Sequence, residues 1–471
     1  MYRKVRHTAQ LVLFTGLALL LCDACKAEVA AHDYSKVMAR ASADWVREGV
    51  IYEIFPRDFS SSGDFAGVTH QLDRLQALGV NILWLMPIHP VGKAKAKGTL
   101  GSPYAVRDYY RINPEYGTAA DLRKLIGEAH KRGLKVIIDI VANHTAWDSN
   151  LMAHPDYYTH DASGKIIPPE PDWADVADLN YNSAALRRYM QDMLVHWVKD
   201  FDLDGFRCDV ADRVPTDFWE SVRDAVTKVK PDVVMLAEAE SPELLVKAFD
   251  IDYGWSFAAA LTDMIQGRRS ASTLREVWNT NAAQYPRGAL RLRFSDNHDE
   301  RRAITRFGEP ATLAASALMF TLDGVPMLYN GMEVGDAAES GAPALFEKLP
   351  IYWPTAERRP QFPIFYQQII ALRKAHAALR DGAVAWLHNS DESRVLTFAR
   401  RSSGETMMVA INMSTQPFVG VVEADDGHYV EITPSFKVSG RNDAADVPAL
   451  AANLPALSLS AWQFRVFQKQ Q

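Results

Sequence analysis

Between about residues 50 and 330, short aliphatic or β-branched runs alternate with longer segments of helical periodicity. This alternation is typical of strand–helix units repeated around a parallel sheet. The strand candidates are residues 50–54, 81–86, 135–140, 205–208, 233–237, a weak one near Asp252, 290–294 and 325–328. Eight strands suit a closed barrel, so the pattern predicts an α/β fold of the (β/α)8, or TIM barrel, type.

The helix candidates between these strands include residues 67–78, 119–132, 183–199, 216–230 and 311–322. Apolar residues recur in them at intervals of three or four, as in the set Leu72, Leu75 and Leu78. Such spacing places the apolar side chains on one face, which can pack against a sheet.

Two regions depart from this rhythm. Residues 143–179 have no helical period and contain His154-Pro155 and Pro168-Pro169, which predicts a functional loop or a small subdomain. After residue 372, alternating segments joined by Ser402-Ser403-Gly404 predict antiparallel hairpins. We therefore divide the chain into a barrel (45–142 and 181–377), a small domain inserted after strand three (143–180) and a C-terminal antiparallel β-sandwich (378–471).

The N-terminus has the layout of a secretory signal. Basic residues at 3, 4 and 6 precede an apolar run over residues 11–21 and a small-residue site at Cys25-Lys26-Ala27. The run is shorter than the roughly 20 residues that a membrane span needs. We predict a signal peptide over 1–27, no membrane span, and export to the periplasm or the medium. Cys22 and Cys25 match a lipid-attachment box poorly, so a lipoprotein is disfavoured.

The formal net charge of −7 and the dispersed Lys and Arg residues argue against nucleic acid or anionic lipid as a partner. A neutral polar substrate fits this balance better. After removal of the signal only Cys208 remains, which excludes an intramolecular disulfide. The oligomeric state is left open.

Charged and polar residues follow four of the predicted strands. They are Asp139, Arg207 with Asp209, Glu238, and Asn297-His298-Asp299. Any one of them has a structural explanation, such as capping the next helix. Because active sites of such barrels lie at the carboxyl ends of the strands, four such ends together predict a catalytic site.

Three carboxylates with an Arg and His residues, and no metal cluster, favour glycosyl transfer. Cleavage with retention needs an ionised carboxylate and a protonated one roughly 5–5.5 Å apart, and Asp209 and Glu238 end adjacent predicted strands. Arg207 lies two residues before Asp209, hence on the same face of the strand, where it would keep Asp209 ionised. Burial would keep Glu238 protonated.

At these residues the sequence resembles the α-amylase family of glycoside hydrolases. The motifs are Asp139-Ile-Val-Ala-Asn143-His144, Gly205-Phe-Arg207-Cys-Asp209, Ala237-Glu238 and Asn297-His298-Asp299, in the order of the family. The resemblance implies that Asp209 is the nucleophile, Glu238 the general acid/base and Asp299 the third acid. It also implies that His144 and His298 bind the sugar, that Tyr104 stacks on it and that Arg207 supports Asp209.

The resemblance implies two further assignments. Asp139 would be a structural acid that orients Arg207. Asn143 would be either a calcium ligand or a loop anchor, with no cofactor required and calcium left open.

The implied activity is retaining hydrolysis of α-glucosidic, mainly α-1,4, bonds in starch-like glucans or maltooligosaccharides. Asp212-Arg213 and Ala239-Glu240 depart from the pattern of many starch enzymes. A neopullulanase-like, cyclomaltodextrinase-like or α-glucosidase activity therefore stays open, as does a sucrose- or trehalose-type transglycosylase or isomerase. A non-catalytic sugar-binding barrel is the alternative of another class, although all three acids are present.

Overall fold

The computed structural model describes residues 33–338, 341, 344–435 and 454–470. The predicted signal peptide, residues 1–27, lies outside these residues. Among the described residues, no helix has the length and apolar character needed to cross a membrane.

Eight parallel strands close into a barrel, which confirms the predicted fold class. In chain order, and here called barrel strands one to eight, they are Ile51–Ile54, Ile82–Leu85, Lys135–Ile140, Gly205–Cys208, Val234–Ala237, Ile251–Tyr253, Leu290–Arg293 and Val325–Tyr329. Each strand pairs with its neighbour in the chain, and strand eight closes on strand one with Met327 opposite Ile51. The weak candidate near Asp252 is barrel strand six.

Alternation along the barrel strands separates an inner core from an outer one. Inward side chains such as Ile51, Ile137, Leu236 and Leu292 pack together inside the barrel. Their neighbours on the same strands face outward into the larger cluster beneath the helices. The same alternation determines which polar residue at each strand end points into the mouth of the barrel.

The helices of the barrel region are Asp44–Arg47, Pro56–Phe59, Phe65–Thr69, Leu72–Leu78, Ala119–Lys131, Ala184–Phe201, Thr216–Val229, Leu244–Lys247, Trp255–Ile265, Ser272–Gln284, Ala303–Phe307, Glu309–Thr321, Thr355–Arg358 and Gln361–Ala375. The helix predicted over 67–78 is divided at His70 and Gln71. Asp64 caps its first part by accepting a hydrogen bond from the Gly67 N–H at 2.7 Å, and Gly79, with a φ of 100°, ends the second.

Residues 143–180 form a short hairpin with turns between its strands. His144–Ala146 pairs antiparallel with Val176–Asp178, and the 3-10 turns Asn150–Ala153 and Pro155–Tyr157 follow the first of them. Further 3-10 turns are Tyr34–Lys36, Ala211–Arg213, Met332–Val334 and Ala344–Phe346. The hairpin begins three residues after barrel strand three ends, so it lies beside the mouth of the barrel.

After the helix Ala377–Asp381 the chain forms two antiparallel sheets. The larger has the order Ala383–Trp386, Val395–Ser402, Glu405–Asn412, Phe464–Lys469 and Tyr429–Glu431, and the smaller pairs Phe418–Val421 with Ala456–Leu459. Met408 and Phe467 of the larger sheet pack with Phe418 and Leu459 of the smaller one. The C-terminal region is thus antiparallel, as predicted.

Candidate active site

The four polar strand ends come together in the mouth of the barrel. Asp139 lies on barrel strand three, Arg207 on strand four, and Asp209 and Glu238 directly follow strands four and five. Asp139 follows the inward Ile137 by two residues, and Glu238 follows the inward Leu236 in the same way. Side-chain alternation therefore directs both acids inward.

The guanidinium of Arg207 joins three of the carboxylates. Its Nη1 donates to Asp139 at 2.9 and 3.0 Å and to Asp209 Oδ1 at 3.0 Å. Its Nη2 forms an ion pair with Glu238 Oε2 at 2.9 Å. Arg207 is fully buried, with its guanidinium 5.1 Å from the ring centre of Trp84. A single buried cation thus offsets part of the charge of three acids.

The backbone after Asp209 supplies a further contact to Glu238. The Val210 N–H donates to Glu238 Oε2 at 2.9 Å. Val210 has φ 36° and ψ 52°, a left-handed conformation that is unfavourable for a β-branched residue. Backbone strain of this kind is concentrated at functional sites, where the surrounding structure enforces it. Here the left-handed conformation of Val210 directs its backbone N–H toward the Glu238 carboxylate.

A second network joins Tyr104, His298 and Glu53. Glu53 Oε1 accepts a short hydrogen bond from His298 Nδ1, and His298 Nε2 lies 2.7 Å from the Tyr104 hydroxyl. That hydroxyl donates to Asp139 at 3.1 Å, so the chain of contacts ends at the acid that holds Arg207. Asp299 extends from the same turn, with Oδ2 3.3 Å from His298 Nε2 and its side chain 42% exposed.

Burial and charge separate the pKa values of the acids. Burial raises the pKa of Asp209 to about 6, against the opposing effect of Arg207. Burial, with the charges of Asp209 and Asp299, raises the pKa of Glu238 to about 7, although Arg207 again acts against it. Burial alone would lower the pKa of His298, but the charges of Asp299 and Glu53 raise it to about 9. At neutral pH His298 is therefore charged, and Glu238 holds its proton more tightly than Asp209.

One wall of the mouth is formed by the inserted hairpin. The buried His144 contacts the ring of Trp173 edge to face, with centroids 5.7 Å apart, and burial lowers the pKa of His144 to about 4. The Arg213 guanidinium lies 5.3 Å from the centre of the same Trp173 ring and pairs with Glu170 at 2.6 Å. Arg213 thus connects the turn after barrel strand four to the inserted hairpin.

Glu240, one of the departures from the family pattern, is directed away from the acids. It pairs with Arg291 at 2.6 Å and accepts hydrogen bonds from the backbone and hydroxyl of Ser256. Arg291 also pairs with Asp252, whose neighbours Ile251 and Tyr253 face the barrel interior. Glu240 therefore belongs to a polar cluster outside the barrel wall.

Asn143 contacts its neighbour rather than a group of acids. Its amide nitrogen lies 3.3 Å from His144 Nδ1. Within the described parts of the chain, no three His, Cys, Asp or Glu side chains are grouped so as to hold a metal ion. A calcium ligand at Asn143 stays a prediction.

The residues predicted to catalyse or to bind substrate lie in this region, and four more belong to it. Glu53 holds His298, Trp84 and Tyr253 pack near the Arg207 guanidinium, and Trp173 contacts His144. Glu53 could have been found, because an acid inside the apolar run of barrel strand one requires a buried partner. Trp173 lies in a segment without periodicity, where nothing in the sequence marks it.

Comparison with known proteins agrees with this geometry. The family model for the α-amylase catalytic domain matches residues 41–165 and 170–348. α-Amylase MalA from Haloarcula japonica is 29% identical over 81% of this chain and 58% of its own length. A cyclomaltodextrinase from Geobacillus thermopakistaniensis is 28% identical over 79% of this chain and 70% of its own. The chain thus spans little more than half of MalA.

Two solved structures share the fold over nearly their whole length. The maltogenic α-amylase AmyB from Thermotoga neapolitana superposes with a TM-score of 0.79 at 28% identity, covering 90% of this chain and 99% of that one. An α-amylase from Lactobacillus plantarum gives 0.76 at 31% identity, with the same coverages. With the family model matching more than half of the sequence, the chain belongs to the α-amylase family of glycoside hydrolases.

Proposed function

We propose that this protein hydrolyses α-1,4-glucosidic bonds in maltooligosaccharides and starch-like glucans with retention of the anomeric configuration. The observation that carries the proposal is the contact of one buried guanidinium with both Asp209 and Glu238, which have raised but different pKa values. A retaining mechanism needs such a pair, one acid ionised and the other protonated.

In the first step Asp209 attacks the anomeric carbon while Glu238 gives its proton to the leaving oxygen, so the glucosidic bond breaks and a glycosyl ester forms. In the second step Glu238 takes a proton from water, the water oxygen attacks the anomeric carbon and Asp209 leaves as the carboxylate. Asp299 and the charged His298 bind the hydroxyls of the sugar at the mouth. His144 and the partly exposed ring of Tyr104 complete its binding site.

The maltooligosaccharide preference is supported by the relatives, whose names include cyclomaltodextrinase and maltogenic amylase. The discriminating experiment is product analysis on maltoheptaose, cyclomaltodextrin, pullulan and isomaltose, with NMR of the first product anomer. We expect maltose and related products released as the α-anomer.

The matched control is Asp209→Ala, which should lower the rate by about four orders of magnitude. Activity equal to wild type would refute the nucleophile, and an initial β-anomer would refute retention. New disaccharides with little reducing sugar would favour a transglycosylase. Binding of maltoheptaose without turnover by the wild type would favour the non-catalytic barrel.

Export and calcium form separate parts of the proposal. The N-terminal pattern supports export after cleavage near residue 27, and cell fractionation with N-terminal sequencing of the product tests it. The acids alone carry the chemistry above, so we expect activity to survive dialysis against EDTA. Activity lost with EDTA and restored by Ca²⁺ would contradict that expectation. Titration of Asn143→Ala with Ca²⁺ would then test whether Asn143 is a calcium ligand.

A further inference from the structure

A second cavity lies at the opposite end of the barrel from the acids. It has a volume of about 450 Å³ and is bounded by the amino ends of barrel strands seven and eight, the helix Ser272–Gln284 and the start of the C-terminal sheet. This volume falls within the range of small-molecule sites, roughly 300–1,000 Å³. The amino face of such barrels ordinarily serves stability, so a cavity there needs an explanation of its own.

The lining of this cavity is strongly basic. Six arginines face two aspartates, Asp323 and Asp381, in a chain whose formal net charge is −7. The arginines are Arg47, Arg287, Arg291, Arg293, Arg380 and Arg400. Four of the six are neutralised locally: Arg293 pairs with Asp323 at 3.0 Å, Arg291 with Asp252 and Glu240, Arg380 with Glu48 at 3.4 Å and Arg47 with Asp44 at 2.5 Å.

Arg287 and Arg400 form no ion pair with a carboxylate in the described part of the chain. Arg400 is fully buried and donates to the carbonyls of Thr321 and Gly382 at 2.7 and 2.9 Å. Burial lowers its pKa to about 10, so it stays charged at neutral pH. Arg287 is exposed at the rim, where one nitrogen reaches the Lys36 carbonyl at 3.5 Å. Carbonyl oxygens orient these cations without cancelling their charge.

A donor atom on the lining also lacks a partner. Arg291 Nη1 is buried without a hydrogen-bond acceptor among the described residues, and Arg380 Nε has only the Glu48 carboxylate, at 3.4 Å. A buried donor without an acceptor is costly, and a bound anion would remove that cost. Arginine forks suit the oxygen atoms of phosphate. The rings of Trp278 and Tyr285 add aromatic surface to the same wall, and the volume leaves room for more than a single inorganic ion.

We propose that this cavity binds a phosphate monoester that carries a ring, with the phosphate held by the arginines and the ring against Trp278 and Tyr285. A phosphorylated sugar and a nucleoside monophosphate share this chemistry. The site is separate from the glucan site, and its occupancy does not depend on the hydrolytic activity.

Isothermal titration of the whole protein in low-salt buffer tests the proposal, with glucose 6-phosphate, AMP, inorganic phosphate and glucose as probes. We expect at least one ester to bind, more tightly than inorganic phosphate and much more tightly than glucose, with affinity that falls as salt is added. Arg287→Gln should weaken this binding about tenfold. Arg188→Gln, at an exposed arginine outside the cavity, should leave it unchanged.

Arg287 is exposed, so its substitution tests the site without threatening the fold, as a change at the buried Arg400 would. Arg47→Gln, at another half-exposed lining residue, provides an independent variant with the same expected direction. Failure of both esters to bind at millimolar concentration would overturn the proposal. Glucose binding as tightly as its phosphate, or equal losses in Arg287→Gln and Arg188→Gln, would overturn it as well.

Discussion

Arg207 donates a hydrogen bond from Nη1 to Oδ1 of Asp209 at 3.0 Å, across two positions of the same strand end. The same guanidinium lies 2.9 Å from Glu238, so its charge lowers the pKa of both acids against the effect of burial. We predict that Arg207→Gln lowers kcat by about 10²–10³, because both acids lose the cation that tunes their protonation. Initial rates on maltoheptaose measure this effect.

In Arg207→Gln the acidic limb of the pH profile should also move to higher pH, because Asp209 without the cation has a higher pKa. Arg188→Gln, at an exposed arginine on the helix Ala184–Phe201, is the control for a general loss of positive charge. A kcat unchanged in folded Arg207→Gln, as judged by circular dichroism, would contradict this role.

The pH dependence of the rate should be bell-shaped and narrow. Asp209 must be ionised to attack, so the rate rises as pH passes its pKa of about 6. Glu238 must be protonated to assist departure, so the rate falls as pH passes its pKa of about 7. We predict an optimum between these values in kcat/KM profiles. In Glu238→Gln the remaining activity, measured with a substrate whose leaving group needs no proton, should lose the alkaline limb. Retention of that limb would assign it to another group.

Much of this site could be predicted because strand alternation and strand order are visible in the sequence. The runs before Asp139, Asp209 and Glu238 indicate buried parallel strands, whose carboxyl ends meet at one face. The spacing of Arg207 and Asp209 places both on one side of a strand. These relations are local, so the sequence is sufficient to predict them.

Contacts between segments distant in the chain could not be predicted in the same way. The pairing of Glu53 with His298 spans 245 positions, and the pairing of Arg213 with Glu170 depends on how the hairpin folds back. Glu240 follows Glu238 by two residues and would share its face if the strand continued. The strand ends at Ala237, however, and the chain then turns Glu240 toward Arg291.

Asp139 should contribute more to stability than to chemistry. It is fully buried and accepts two contacts from Arg207 and one from the Tyr104 hydroxyl. Removing Asp139 takes an acceptor from two buried donors, which costs about 1–3 kcal/mol, while Asp209 and Glu238 still compensate the charge of Arg207. We predict that Asp139→Ala lowers the free energy of unfolding by about this amount in urea titrations. Because burial raises the pKa of Asp139 to about 6, its ionisation in the folded protein costs free energy, so the loss should be larger at pH 5 than at pH 8.

The matched control for Asp139→Ala is Asp44→Ala, which breaks the exposed pair with Arg47. Exposed pairs contribute about 0–1 kcal/mol, so this variant should unfold close to the wild type. Equal losses in the two variants would show that the buried network around Arg207 is not what stabilises the mouth of the barrel.

Arg213 should affect substrate binding rather than the chemical steps. It pairs with Glu170 and lies over Trp173, which in turn contacts His144, yet it touches none of the three acids. Because the Arg213–Glu170 pair is half exposed, its loss costs little free energy, while it still loosens the hairpin wall. We predict that Arg213→Ala raises KM for maltoheptaose by less than about tenfold and leaves kcat unchanged.

Glu170→Gln should produce part of the same KM effect, since it removes the ion pair but leaves the guanidinium over the ring. Added salt should raise the wild-type KM toward that of Glu170→Gln and change Arg213→Ala little, because the variant has no pair left to screen. A fall in kcat of a hundredfold in Arg213→Ala would instead show that the residue contacts the reacting sugar.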